Sequence, residues 1–85
     1  MKMILYRLAV RRHDYHVDFN IPCERLLTES EGNTLIERFR KKFEELNPDI
    51  LGTEMVLTVK NAEYEPTGLE LAQIESLPTT LDFIK

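Results

Sequence analysis

The sequence has few of the residues on which secreted or membrane proteins depend. Its single cysteine, Cys23, allows neither an internal disulfide nor a four-ligand zinc cage, so a reducing compartment is expected. No run of about 18 uncharged apolar residues is present, which excludes a transmembrane helix. The apolar stretch after Met1 is broken by Arg7 and then by Arg11 and Arg12, which is unlike a secretory signal. We therefore expect a cytoplasmic protein.

Glycine is also scarce, and with it the loops that hold phosphates. The three glycines stand singly at positions 32, 52 and 68, so no glycine-rich phosphate loop is present. Cys23 has His13 and His16 as the only candidate bases, and nothing in the local sequence except Arg25 would activate its thiol. No enzyme class has a specific signal here, and we expect a non-enzymatic protein without a cofactor.

The hairpin region also contains candidate ligands for a metal ion. Two histidines and two aspartates lie within six positions, at 13, 14, 16 and 18, and three of them are within geometric reach of one ion. Their spacing matches no recognisable zinc signature, and polar residues are expected on the solvated side of a strand. We expect a solvated face and no metal.

With 85 residues, the chain is predicted to form one domain that spans residues 1–85. A domain of this size buries only about 60–65% of the surface of its unfolded chain, so its stability lies near the low end of about 5–15 kcal/mol. Most large apolar residues are therefore expected in the core.

Alternating residues predict an antiparallel hairpin in the first quarter of the chain. Residues 3–10 and 15–21 have apolar side chains at every second position, and residues 11–14 form a polar four-residue connection. In the second strand, Val17 and Phe19 point inward while His16 and Asp18 point outward. Because the first strand is apolar on both sides, we expect it in the centre of the sheet. Pro22 is expected to stop the second strand.

A helix is predicted to follow a loop over residues 29–33. Thr34 and Glu37 have the spacing of a capping box, and one apolar stripe holds Leu35, Ile36, Phe39, Phe43 and Leu46. The helix is expected to end before Pro48.

The C-terminal half is less regular. Residues 55–59 predict a strand, residues 61–68 a polar connection, and residues 80–84 a final strand. Residues 69–77 fit a short helix, which we favour, or a strand. The expected fold is thus a two-layer α+β domain with one main helix on a mixed sheet and a short second helix near the C-terminus. Its element order is similar to that of the β-grasp folds, although the chain lacks the terminal glycine pair of ubiquitin-type modifiers.

Charge is distributed unevenly along the chain. Residues 1–42 hold 9 Lys/Arg against 6 Asp/Glu, whereas residues 43–85 hold 2 against 9. Either half can steer a partner. The candidate partner-binding residues are Arg11, Arg12, Arg38, Lys41 and Lys42 on the basic side, and Glu63, Glu65 and Glu70 on the acidic side.

One local resemblance bears on function. The run from Leu27 to Glu31, continued by residues 34–39 and Phe43, resembles the strand-to-helix segment of a small anti-CRISPR family. Proteins of that family block Cas9 by mimicking the DNA that it reads, so the resemblance implies an inhibitor from a phage or mobile element. The basic run at residues 40–42 is unlike a DNA mimic.

The function favoured by the sequence is a small protein-binding domain, acting as a regulator, adaptor or inhibitor through charged surface patches. The alternatives are a DNA mimic of the anti-CRISPR type and nucleic-acid binding through the basic hairpin loop and helix. The partner protein is unidentified, no membrane partner is expected, and an unpaired edge strand offers a route to a homo-oligomer.

Overall fold

The structure, a computed structural model, describes residues 2–67 together with Thr80 and Ile84. Its four elements are β1 (Met3–Arg12), β2 (Tyr15–Cys23), α1 (Glu29–Leu46) and β3 (Glu54–Tyr64). The three strands form an antiparallel sheet in the order β2-β1-β3. The α+β class and the central position of the first strand are therefore confirmed.

The sheet has one face covered by α1 and one face open to water. Leu8 and Val10 of β1 and Met55 of β3 form a buried cluster with Phe43 of α1. On β2 the predicted alternation is confirmed, because residues 15, 17, 19 and 21 are half-buried while residues 16, 18 and 20 are exposed. Burial of the helix stripe against this face supplies the main stabilisation of the two layers.

The hairpin is tighter than predicted. β1 continues to Arg12, which pairs with Tyr15, so the connection has two residues, His13 and Asp14, rather than four. Pro22 does not stop β2, because it pairs with Leu5 near the end of the strand. Proline is tolerated there because β2 lies at one edge of the described sheet. At an edge, every second N–H of the strand points away from the neighbouring strand and is not needed for pairing.

The helix begins earlier than predicted. Residues 29–33 were expected to form a loop, but α1 starts at Glu29 with Thr28 as its N-cap. The capping box is formed by Thr28 and Glu31, whereas the Thr34 hydroxyl donates to the Ser30 carbonyl inside the helix. Two segments of this region match the same capping pattern, one at Thr28 and one at Thr34, and the prediction at Thr34 was wrong.

β3 is longer than the predicted strand over residues 55–59. It reaches Tyr64 and takes up much of the expected connection over residues 61–68. Two register shifts accommodate the extra residues, since Tyr6 pairs with Val59 while Leu5 pairs with Asn61. Polar residues continue the strand because pairing with β1 depends on backbone groups and not on apolar side chains.

The predictions for the C-terminal region fall almost wholly outside the described residues. The short element at residues 69–77 lies outside them, and so does most of the final strand at residues 80–84. Of that strand the structure describes Thr80 and Ile84, and the Ile84 N–H donates to the Thr80 carbonyl at 3.2 Å, which is typical of a helical turn. The second helix, the mixed sheet and the β-grasp order stay predictions.

Candidate functional site

Three arginines have their guanidinium groups committed to the fold. Arg12 donates from Nε and Nη2 to the two carboxylate oxygens of Asp14, at 2.6 and 3.0 Å. Its Nη1 donates to the Leu51 carbonyl at 3.1 Å, which ties the hairpin to the segment before β3. The hydrogen bond from Arg12 lowers the pKa of Asp14, and the same contact raises the pKa of Arg12. Arg12 is therefore a structural clamp.

Arg25 holds the first turn of α1, and Arg40 ties the helix to the segment before β3. Arg25 forms a two-pronged contact with Glu31, with both N–O distances at 2.8 Å. That hydrogen bond, followed by the one from the Thr28 backbone, lowers the pKa of Glu31 to about 2. Arg40 donates to the Thr53 carbonyl at 2.7 Å.

Three further cations of α1 lie exposed and together. Arg38, Lys41 and Lys42, which we call the cationic face, are spaced three and four residues apart and share one side of the helix. With Glu45 they line a shallow depression of about 230 Å³. Within the part of the chain that the structure describes, none of the three forms an ion pair.

Arg11, predicted to belong with these cations, lies elsewhere. It pairs with His16 and with Glu54 across the sheet, at positions on the face away from α1. The five predicted basic residues therefore do not form one patch. Arg38, Lys41 and Lys42 remain together, Arg12 is committed, and Arg11 is on the opposite side.

The predicted acidic surface is described only at its beginning. Glu63 and Glu65 are exposed at and just beyond the end of β3. Glu63 lies 3.8 Å from the Lys2 ammonium, with both side chains largely in water. Glu70 lies outside the described residues. A solvated pair of this kind contributes little to stability.

An apolar groove lies between α1 and β2, beside the cationic face. We call it the edge groove, and its volume is about 410 Å³. Aromatic rings form its floor, with Phe19 and Phe39 in edge contact at 5.0 Å between centroids. Leu46 at its rim is 76% exposed. The groove is lined by Tyr15, Phe19, Phe39, Lys42, Phe43, Leu46 and Asn47.

Sequence reasoning assigned these aromatic residues to the core and missed the groove. The expectation that most large apolar residues are buried is only partly met, because Leu26, Leu46 and Leu51 are more than half exposed. The available signal was positional. Leu46 lies in the last turn of the helix, and residues 15–19 belong to the strand at the sheet edge. Side chains at a helix end or a sheet edge lack neighbours on one side and stay partly exposed.

The chemically reactive residues are placed as follows. The Cys23 side chain is fully buried, and burial raises the pKa of its thiol, which opposes formation of the nucleophilic thiolate. His16 Nε2 lies 3.2 Å from Asp18 Oδ1 on the open sheet face. Within residues 2–67, Thr80 and Ile84, no three His, Cys, Asp or Glu side chains are placed to hold a metal ion.

No helix among the described residues is long and apolar enough to cross a bilayer.

Comparison with known proteins gives no relative from which a role can be transferred. No family model matches the chain, and no similar protein was found among curated proteins or solved structures. The functional argument therefore depends on the charges, contacts and exposed surfaces described above.

Proposed function

We propose that this chain is a non-enzymatic protein-binding domain whose cationic face contacts an acidic surface of a partner protein. The observation that carries the proposal is the division of the cations. Arg12, Arg25 and Arg40 are bound to carboxylates or carbonyls of the fold, whereas Arg38, Lys41 and Lys42 have no ion-pair partner among the described residues.

Electrostatic complementarity is the physical basis of the proposal. Three exposed cations on one helix side attract an acidic surface over about 8–10 Å at physiological salt and raise the association rate. The edge groove adjoins them through Lys42, so charged and apolar surface are available side by side. Interfaces of this composition bury apolar area in the centre and keep charges at the rim.

A protein partner is favoured over a nucleic acid. Glu45 lines the same depression as the three cations and would lie near the phosphates of a bound strand. The aromatic rings beside them pack against each other, since Phe39 and Phe43 lie 6.2 Å apart with an interplanar angle of 18°. Part of their faces is therefore already covered, unlike the open rings on which bases stack.

The test is affinity capture from the native host with a triple charge reversal. The variant Arg38→Glu, Lys41→Glu and Lys42→Glu is compared with wild-type bait, and captured proteins are quantified by mass spectrometry. We expect a protein that wild type retains at low salt, releases as salt rises, and that the variant does not retain.

A matched control has the same change in net charge at other sites. Lys2→Glu, Arg7→Glu and Lys60→Glu reverse three exposed cations outside α1 and leave the helix intact. Retention by this control supports a specific surface, while equal loss in both variants contradicts it. If nuclease treatment removes the bound material, nucleic-acid binding replaces the proposal.

A further inference from the structure

The outer edge of β2 has a row of backbone groups without partners among the described residues. β2 pairs with β1 alone in the described sheet. In an antiparallel hairpin the pair that flanks a two-residue loop is the hydrogen-bonded one, here Arg12 and Tyr15. By alternation, the N–H and C=O groups of His16, Asp18 and Asn20 point away from β1.

The position of Pro22 fits this alternation. It is an even-numbered residue of β2, so its carbonyl is expected to point outward, and it accepts a hydrogen bond from the Thr80 hydroxyl at 2.6 Å. Its missing N–H costs nothing in the pairing with β1 for the same reason. Among the described residues, the part of the edge without a partner is thus residues 15–20.

We propose that β2 pairs with β2 of a second copy of this chain, antiparallel, about a two-fold axis at Val17. The two sheets would join into one six-stranded sheet with both α1 helices on the same face. Such an interface is isologous, so the segment must complement itself.

The charges of β2 select this register. With Val17 on the axis, His16 of each copy lies opposite Asp18 of the other, which makes two complementary pairs on the open face. An axis at Asp18 would oppose two carboxylates, and an axis at His16 would oppose Asp14 and Asp18. The two side chains already meet within one chain, with 3.2 Å between His16 Nε2 and Asp18 Oδ1.

The apolar side of the strand supports the same register. Tyr15 of each copy lies opposite Phe19 of the other on the face of α1, and aromatic cross-strand pairs stabilise antiparallel sheets. Both residues line the edge groove, so pairing would bring the two grooves together and cover apolar surface that a single copy leaves open. None of these residues belongs to the cationic face, so the inference does not depend on the proposed function.

Complementation in trans is the main test. Sedimentation or light scattering is measured from about 10 to about 500 μM protein, because a dimer forms in a concentration-dependent way. We expect wild type to dimerise. His16→Glu and Asp18→Lys, each alone, are expected to weaken dimerisation about tenfold or more, because the first opposes two carboxylates and the second removes the carboxylate that faces His16. Mixed in equal amounts, they are expected to form a heterodimer, because the new glutamate then faces the new lysine.

The results that overturn the inference are clear. A wild-type chain that stays monomeric over the whole range removes it, and so do single variants that dimerise as well as wild type. Circular dichroism confirms that each variant is folded. Each variant also loses the His16–Asp18 contact within its own chain, and mixing does not restore that contact. Dimerisation regained in the mixture therefore comes from pairing between chains.

Disulfide trapping tests the position of the axis. A pair on the axis is a non-hydrogen-bonded pair with Cα atoms about 4.5 Å apart, within disulfide range. Val17→Cys is therefore expected to cross-link under oxidation, whereas in Asn20→Cys the two thiols would be about 20 Å apart along the strands. Wild-type protein controls for cross-links that form through Cys23. Equal cross-linking of both variants, or none with Val17→Cys, contradicts the register.

Discussion

The two sides of α1 differ in what they contact. The inward side places Leu35 at 2% exposure and Phe43 in the buried cluster with the sheet. The same stripe ends at Leu46, which is 76% exposed in the last turn, and the three cations of the cationic face lie beside it. One helix thus contributes to the core through the upper part of one stripe and leaves the end of that stripe and the neighbouring cations exposed. Folding accounts for the first side and leaves the second available for binding.

Two leucines of the same helix give the largest expected contrast. Leu35→Ala should lower the free energy of unfolding by about 2–4 kcal/mol, because it leaves a cavity in a packed site. Leu46→Ala is the matched control and should change it by less than about 0.5 kcal/mol. Urea unfolding followed by circular dichroism measures both. Equal losses would show that the C-terminal end of the stripe is also packed.

Phe39 lies between these extremes. It is half-buried and in edge contact with Phe19, so Phe39→Ala should cost about 1–2 kcal/mol. Phe39→Leu keeps most of the apolar area and should cost less. If Phe39→Ala costs as much as Leu35→Ala, the edge groove is closed in solution.

The N-cap of α1 distinguishes two threonines six residues apart. Thr28→Ala removes the hydroxyl that accepts from the Glu31 N–H, and should cost about 1 kcal/mol. Thr34→Ala removes a hydroxyl that bonds back to the Ser30 carbonyl, and should be neutral or slightly stabilising. Thermal unfolding of the two variants compares them. The opposite ranking would place the start of the helix at Thr34.

The same cap has a pH signature. Folding lowers the pKa of Glu31 from its ordinary 4.5 to about 2, so the folded state favours the charged carboxylate. Its stabilising contribution is complete above about pH 4.5 and is lost as the pH falls from 4.5 to 2. Glu31→Gln should reduce the slope of unfolding free energy against pH in that window.

Asp14 provides the comparison for this pH effect. Its pKa is also lowered, through Arg12, so part of the acid slope is expected to persist in Glu31→Gln. Asp14→Asn should remove that remaining part. A slope that neither variant changes would contradict the assignment of these two carboxylates.

The sequence was sufficient for the elements and for the faces of the strands. Period-two alternation over residues 15–21 set the inward side of β2, and the stripe through Leu35, Phe39 and Phe43 set the inward side of α1. The start of α1 was missed because Thr28 and Thr34 both fit a capping box. Only the structure shows Glu31 bonded to the Thr28 N–H and to Arg25.

The candidate surfaces were only partly predictable. Arg12 and Arg38 are both arginines in charged segments, and the sequence does not distinguish them. In the structure, the Arg12 guanidinium donates to the carbonyl of Leu51, 39 residues away. Such tertiary contacts leave no local signal. The edge groove was missed for a related reason, since it depends on which strand lies at the sheet edge and on how far α1 extends over it.

Measurement of stability and binding in one variant tests the central claim most directly. Arg38→Ala, Lys41→Ala and Lys42→Ala together should leave the free energy of unfolding within about 0.5 kcal/mol of wild type, because these side chains support nothing in the described fold. The same variant should fail to retain the protein partner captured by wild type. A clear loss of stability, or full retention of that partner, would contradict the account.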